Sequence, residues 1–386
     1  MNRRKVLKMA GATVVVAGAG LAWWAWDNGA FSAGTGPAYE PWRTWGEGLP
    51  GDPMRLVHAA ILAANPHNSQ PWLFKVRDGR IDVFADTKRN IGTIDPFLRE
   101  MTMGIGCAIE TLRIAALADG FAPTVRWLPE AGNATHLARV ELAKAAPAPS
   151  ELYDAIPKRH TNRAAYDTSR GLAADQLAAL AATDADLQDV KVLWFVSPEE
   201  RARIGGHIVA ATEAIIADKQ QSEDSGRWFR WGWDEVQSQR DGLSLDAQQL
   251  PPIINFAAKV LQPMSNEQAD AGWLKSTREI HVPTAAAFGM VAAADGSDPA
   301  VRLRAGRLWQ RLHLRATAMG LAAHPLNQLP ERADRERQLG IEPRFGNVLK
   351  EFAGDAKLGV LMPFRIGHPL KPARPSPRRD LKSVLV

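Results

Sequence analysis

The 386-residue sequence holds one cysteine, Cys107, and that scarcity closes several routes. No internal disulfide can form, and no zinc site built on cysteine pairs exists. The nine histidines are scattered, with no H-E-x-x-H helix and no tight His/Asp/Glu cluster, so no metal centre is expected. A G-x-S-x-G elbow is missing, which argues against a hydrolase of that type. Charge of one sign is also scarce in blocks. The net charge of +5 is modest for this length and points to anionic ligands or an anionic surface. No nucleic-acid motif is present, and no nucleic-acid partner is expected. What is plentiful is apolar: 46% of residues are hydrophobic, enough for a sizeable core and two or so domain-sized units.

The first 33 residues read as an address. Arg3, Arg4, Lys5 and Lys8 precede an uncharged run from Met9 to Trp26, the order of a basic n-region and an apolar h-region. The stretch NRRKVLK resembles a twin-arginine (Tat) export signal, which implies the Tat export machinery as a partner and a periplasmic or cell-envelope location. The alternative is a membrane anchor, with Trp23, Trp24 and Trp26 at the interface. Cleavage is left open, the nearest small-residue site being Ser32–Ala33. Twin-arginine routes carry folded proteins, often with a cofactor already bound, which directs attention to a cofactor site.

Residues 34–51 read as a Gly/Pro-rich linker, 52–148 as a first half and 149–386 as a second. In the first half, Asp52 and Pro53 open a short helix. WLFKVRDGRIDVFAD reads as a hairpin about Asp78-Gly79. MTMGIGCAIETLRIAALADGF reads as a long apolar helix ending at Gly120, followed by two strands. In the second half, a helix, a polar loop and another helix precede the strand VKVLWFV. Ser197 and Glu200 form a capping box for the next helix. A tryptophan-rich insert (227–275), a long helix from SDPAVRL and a final apolar strand, KLGVLMPFRIG, follow.

The two long helices echo one another. Gly106, Leu112, Ile114, Ala116 and Gly120 match Gly306, Leu312, Leu314, Ala316 and Gly320, at one spacing throughout. Two amphipathic helices with glycine caps can look alike by chance. The other reading is an internal duplication, in which one chain is built like a fused dimer.

Two polar loops carry the candidate chemistry. KRHTNRAAYDTS (158–169) places Arg159, Thr161 and Arg163 in one turn: two planar cationic forks and a hydroxyl, a set that suits a phosphate. A solvated basic turn is the plain alternative. AANPHNSQPWLFKV (63–76) crowds Asn65, His67, Asn68, Ser69 and Gln70 between two apolar stretches. By itself it is only a polar turn before a strand.

Together they carry a resemblance. RHTNRAAYDTSRGLAADQL is similar to the phosphate-binding segment of the FMN-dependent nitroreductase superfamily. NPHNSQPWLFKV is similar to its Q-P-W segment, and SPRRDL (376–381) to its closing basic segment. Their order here differs from the ordinary one, the Q-P-W loop lying in the first half and the phosphate segment in the second. That division resembles the fused, Acg-like branch, in which one chain would build one complete site.

The resemblance implies an α+β nitroreductase-like fold, with mixed or antiparallel sheets flanked by helices and duplicated to mimic a homodimer within a monomeric chain. It implies FMN as cofactor and no metal. The activity implied is hydride and electron transfer from NAD(P)H to a nitroaromatic, quinone or other small acceptor. No protein acid or base is required for it, because the flavin carries the chemistry. The alternative is a flavin-binding or storage protein that occludes its FMN. Carried over by residue, Arg159, Thr161 and Arg163, beside His160, would hold the phosphate with Arg378 or Arg379. Asn68 and Gln70 would face the flavin, with His67 as a donor or a turn cap. Asn65 and Pro66 stand where the family has serines. A backbone N–H near Leu326–Asn327 would approach flavin N5. The tryptophan-rich insert is either a lid or a contact surface, and Cys107 is expected in the core.

Overall fold

The computed structural model describes Trp23 and residues 32–184, 187, 189–250, 252–260 and 264–386. The expected signal or anchor, apart from Trp23, Ser32 and Ala33, lies outside the described residues.

Residues 34–51 carry helix α1 (Glu40–Thr44), and the first half builds helices α2 (Pro53–Ala60) and α3 (Arg99–Ala118) and strands β1 (Trp72–Arg77), β2 (Arg80–Ala85), β3 (Phe121–Trp127) and β4 (His136–Lys144). Asp52 caps α2 as expected, its carboxylate accepting from the Met54 N–H at 2.9 Å. Residues 34–51, read as a Gly/Pro-rich linker, are partly packed against the rest of the chain. Ala38, Tyr39 and Trp42 are buried there, because α1 closes over the polar loops described below.

The second half contributes α4 (Glu151–Ala155), α5 (Ala174–Ala181), β5 (Val190–Phe195), α6 (Pro198–Ala217) and α7 (Lys219–Gly226). The insert follows with β6 (Phe229–Arg230), α8 (Trp233–Gln239), β7 (Leu243–Ser244), α9 (Pro252–Val260) and α10 (Asn266–Ser276). Then come β8 (Ala287–Ala293), α11 (Pro299–Ala318), β9 (Ala322–Pro325), α12 (Gln328–Leu339), α13 (Arg344–Ala353) and β10 (Gly359–Gly367). The Ser197–Glu200 capping box of α6 forms as its spacing predicts.

The two halves share a plan. Each has an antiparallel four-stranded sheet, in the orders β1-β2-β4-β3 and β5-β8-β10-β9. In each, the first two strands pair, a 20-residue helix follows, and the third strand lies outside the fourth. Each long helix ends at a left-handed glycine, Gly120 or Gly320, where a side chain would strain the backbone.

Helices α3 and α11 cross at the centre, and the contact is reciprocal. A methyl added to Gly106 would land on the Leu303 carbonyl oxygen, and one added to Gly306 would land on the Met103 carbonyl oxygen. The two pairs are related by one offset of 200 residues, the pattern of a contact across a two-fold axis. Cys107 lies at this crossing, buried, its thiol 3.2 Å from the Gly306 carbonyl oxygen. Burial first, relieved in part by Arg159, pushes that thiol up to about 12, so it is a core group and not a nucleophile. One hydrophobic cluster runs through both halves, joining Ile105 and Leu112 to Leu308 and Leu312.

Candidate functional site

The loop between α2 and β1 is held in a costly shape. His67, Asn68 and Gln70 all have positive φ, at 47°, 53° and 52°. Such backbone persists in residues other than glycine only where its surroundings over-determine it, and that is most often at a functional site. Asn65 supplies one tie: its Oδ1 accepts from the Gln70 N–H at 2.8 Å, and its Nδ2 donates to the Ala63 carbonyl at 3.1 Å. Trp72, fully buried, anchors the exit into β1.

The other ties come from far along the chain. Asn68 Nδ2 donates to the Pro377 carbonyl (2.9 Å) and the Gly242 carbonyl (3.2 Å), and its Oδ1 accepts from Arg378 (2.6 Å). Gln70 donates to the Arg240 carbonyl (2.9 Å), and its Oε1 accepts the Arg379 N–H (2.8 Å). The insert and the chain's closing segment are therefore fastened to this loop. The strained backbone places its amides to receive them.

A cavity opens between the loop and the turn at 159–163. It is lined by Trp42, Ala64, Asn65, Asn68, Arg159, His160, Thr161, Arg163, Leu243, Ser376 and Arg378, and its empty space is about 350 Å³, mouth included. Seven residues expected from the sequence meet here: Asn65, Asn68, Arg159, His160, Thr161, Arg163 and Arg378.

The electrostatics of the cavity are lopsided. Arg159 and Arg378 are 2% and 3% exposed, and among the described residues neither has a carboxylate partner. Both donate to the Leu62 carbonyl, at 3.0 and 3.2 Å, and the Nε of each is buried without a partner. Burial lowers Arg159 to about 10. Burial and then Arg159 itself push Arg378 well down. Two buried guanidiniums beside one another without an acid are expensive unless an anion joins them.

Arg163, half-buried, donates to the Ala247 carbonyl at 3.3 Å; burial and then Arg365 lower it to about 10. The Thr161 hydroxyl makes no hydrogen bond to the described residues, so it can serve a ligand. The imidazoles are neutral: burial, then neighbouring arginines, take His160 to about 3, and burial with Arg163 takes His67 to about 4. Among the described residues no acidic group lines the cavity, so the donors fit the phosphate of FMN.

The remaining expected residues lie elsewhere. Gln70 is fully buried, and both ends of its amide are engaged with protein, so it does not face the cavity. Arg379 points away: it donates to the Gln70 and Ser383 carbonyls and sits near Asp86, leaving Arg378 as the arginine of the closing segment that lines the cavity. The Leu326 N–H is taken by the Pro363 carbonyl at 2.8 Å, and Leu326 packs in a separate apolar cluster, so it does not fit the role at N5. Asn327 sits at the start of α12, beside Glu100, and is not part of the lining. Pro66 packs close to Gly104. The His67 ring turns to Ser225 Oγ at 3.2 Å, fixing the loop to α7.

Sequence reading missed Trp42, Ala64, Leu243 and Ser376 in the lining. Trp42 was legible only as part of a Gly/Pro-rich stretch. In the fold it lies edge-on to His160, with ring centroids 4.5 Å apart, and 4.7 Å from the Arg378 guanidinium carbon.

The roof comes from the insert. Leu243 lines the cavity, the Gly242 N–H donates to the Asn68 carbonyl, and Gln249 Oε1 accepts the Arg163 N–H at 2.6 Å. Arg240 and Gln249 also have positive φ, at 55° and 56°. Strain is thus concentrated on both sides of the junction between roof and loop.

Comparison with known proteins gives one direction. No family model matches the chain. A Mycobacterium tuberculosis protein provisionally named an NAD(P)H nitroreductase is 27% identical over 337 residues, 86% of this chain and 90% of its own length. A second from that organism, Acg, also provisionally named an NAD(P)H nitroreductase, is 32% identical over 89 residues, 23% of this chain and 27% of its own. The likeness is to the nitroreductases. Among solved structures, a protein of Anabaena variabilis provisionally called a nitroreductase aligns over 83% of this chain and 74% of its own, at 13% identity and a TM-score of 0.42. At that score the alignment adds nothing to the topology described above.

Proposed function

We propose that the chain is an FMN-dependent oxidoreductase of the nitroreductase type, binding one flavin per chain. The observation that carries this is the pair Arg159 and Arg378: buried, adjacent, without a carboxylate partner among the described residues, and lining a cavity with a threonine hydroxyl that bonds none of them. The relative provisionally named an NAD(P)H nitroreductase, matched along nine-tenths of its length, supports the same reading.

Bound FMN would supply hydride and electron transfer between a reduced donor and an acceptor. The chain's own residues hold and shield it. Arg159, Arg378 and Thr161 take the phosphate, and Asn68 aims Arg378 through its 2.6 Å bond. Arg163 adds positive potential along the wall, and Leu243 of the roof at 240–249 supplies apolar lining. NAD(P)H is the donor that the relatives' names suggest, and a nitroaromatic or quinone is the acceptor class. The purified full chain should be yellow, and Arg159→Ala with Arg378→Ala should lose the colour. A double variant that keeps its full flavin band would sink this reading.

A second reading, a flavin-storage protein, is favoured by one observation. The roof is tied down at Asn68, Gln70 and Arg163 by hydrogen bonds that would have to open before a donor could enter. Rapid mixing separates the two: bleaching of the flavin by NADPH supports the enzyme, and bleaching by dithionite alone supports storage.

The shared strand order and the reciprocal glycine contact support an internal duplication, with the two halves dividing one site between them. The basic, then apolar, first 33 residues support export to the cell envelope with FMN already bound.

A further inference from the structure

Behind the phosphate-facing turn lies a layer of buried basic groups that the cavity does not use. Its centre is Arg365 on β10, fully buried. Its donors reach three separate segments. They go to the Ala164 carbonyl (2.9 Å) and the Asn162 carbonyl (3.3 Å), to the His281 carbonyl and Thr284 Oγ1 (both 3.1 Å), and to His324 Nδ1 (3.2 Å). Its guanidinium carbon lies 4.1 Å from the centre of the Tyr166 ring, and Tyr166 itself donates to the Asn162 carbonyl at 2.9 Å. Among the described residues it has no carboxylate partner, so its charge is not cancelled locally.

Two features make this more than a core strut. The acceptors at 162 and 164 flank Arg163 and stand directly after Thr161, so the fork holds the backbone of the turn that presents the cavity's donors. A planar five-donor group is what three converging segments require. Lysine offers a single point of charge and cannot reach all three. The second feature is the neutrality of the neighbours. Burial, then His281 and Arg365, hold the His324 imidazole well below its ordinary range, so Nδ1 is free to accept the Arg365 Nε–H. The layer therefore keeps its geometry without an acid that would compete with a bound anion.

We propose that Arg365, assisted by Tyr166, is a positioning residue for anion binding, setting the turn 159–164 so that Arg159 and Thr161 meet a phosphate monoester. This rests on the reading of the cavity as the FMN phosphate site. It acts through the backbone of Asn162 and Ala164 and touches no ligand itself. Groups one layer behind metal ligands typically change affinity by about 10–100-fold when altered, and the same scale is expected for this phosphate-facing turn.

The test measures affinities of the full chain, freed of flavin, for FMN and for riboflavin, which lacks the phosphate. Arg365→Lys should weaken FMN by about 10–100-fold while riboflavin changes little. Tyr166→Phe, which removes only one hydroxyl, should weaken FMN in the same selective way by a smaller factor. It decides the matter if Arg365→Lys does not fold. Equal losses for both flavins, or unchanged FMN affinity in both variants, would overturn the role. A wild-type chain that binds no FMN overturns the proposed function instead, so the two failures can be told apart.

Discussion

The two halves have the same frame and opposite trades. In the first, β1 and β2 are joined by a two-residue turn at Asp78-Gly79. In the second, the matching strands β5 and β8 are separated by α6, α7 and the whole insert. The first half contributes the strained loop at 63–70, and the second contributes the cations, the roof and the closing strap. A repeated frame tolerates this because long surface connections cost little in loop-closure entropy, while the α3–α11 crossing cannot change on either side. The frame answers to packing, and the connections answer to the ligand.

The largest expected effect breaks the division of labour. Arg159→Ala with Arg378→Ala removes two charge-assisted contacts, each worth about 1.5–3 kcal/mol. Flavin affinity should fall by at least two orders of magnitude, read from the flavin retained after gel filtration. A loss of a few-fold would mean that the second half does not hold the phosphate.

Next comes the frame. Gly106→Ala and Gly306→Ala each drive a methyl onto a facing helix carbonyl. Each should destabilise the chain by roughly 1–3 kcal/mol, and by similar amounts, in urea unfolding. Strongly unequal losses would argue that the crossing is not a symmetric contact. Asn68→Ala tests the seam between the halves. It removes the side-chain oxygen that aims Arg378 and the amide donor to the Gly242 carbonyl, while Arg378 keeps the Pro377, Leu62 and Ala63 carbonyls; the cost should be about 1–3 kcal/mol, and flavin release should speed up more than binding slows.

Acidification is gentler. His67 and His160 are neutral in the fold, held at about 4 and about 3, against about 6.5 in an unfolded chain. The unfolded state therefore binds more protons, and stability present above about pH 6.5 is lost as pH falls toward 4. Urea midpoints at pH 7 and pH 5 should differ, and replacing both histidines with asparagine should shrink that difference. The smallest effect is expected from Arg379→Ala. Its side chain lies outside the cavity, so FMN affinity should stay within a few-fold; a loss as large as that of Arg378→Ala would reassign the strap.

Much of the frame was legible because local signals were consistent. Caps at Asp52 and Ser197, the Asp78-Gly79 turn and the glycine-ended long helices all stand where their residues predict. Strand β8 was missed because every residue of AFGMVAA is buried, leaving no alternation to read. Most of RHTNR and Arg378 line the cavity, and in the sequence they stand out by charge and resemblance. Gln70 and Leu326 lie outside the cavity for one physical reason: a motif gives residue identity, whereas the partner that satisfies an amide or an N–H is set by the fold, here Arg240 and Arg379 for Gln70 and Pro363 for Leu326. Trp42 carried no signal, since its role depends on a packing contact with His160. Arg365 sits in an ordinary apolar strand, and only the convergence of three segments on its fork marks it.

The central claim is that both halves of one chain build one flavin site. It is tested most directly by the flavin-to-chain ratio of the purified full-length protein, taken from flavin absorbance after denaturation against total protein. The account predicts a ratio of about one, with the flavin released as FMN. A ratio near two would show a site repeated rather than shared, and a colourless protein that does not take up added FMN would contradict the account outright.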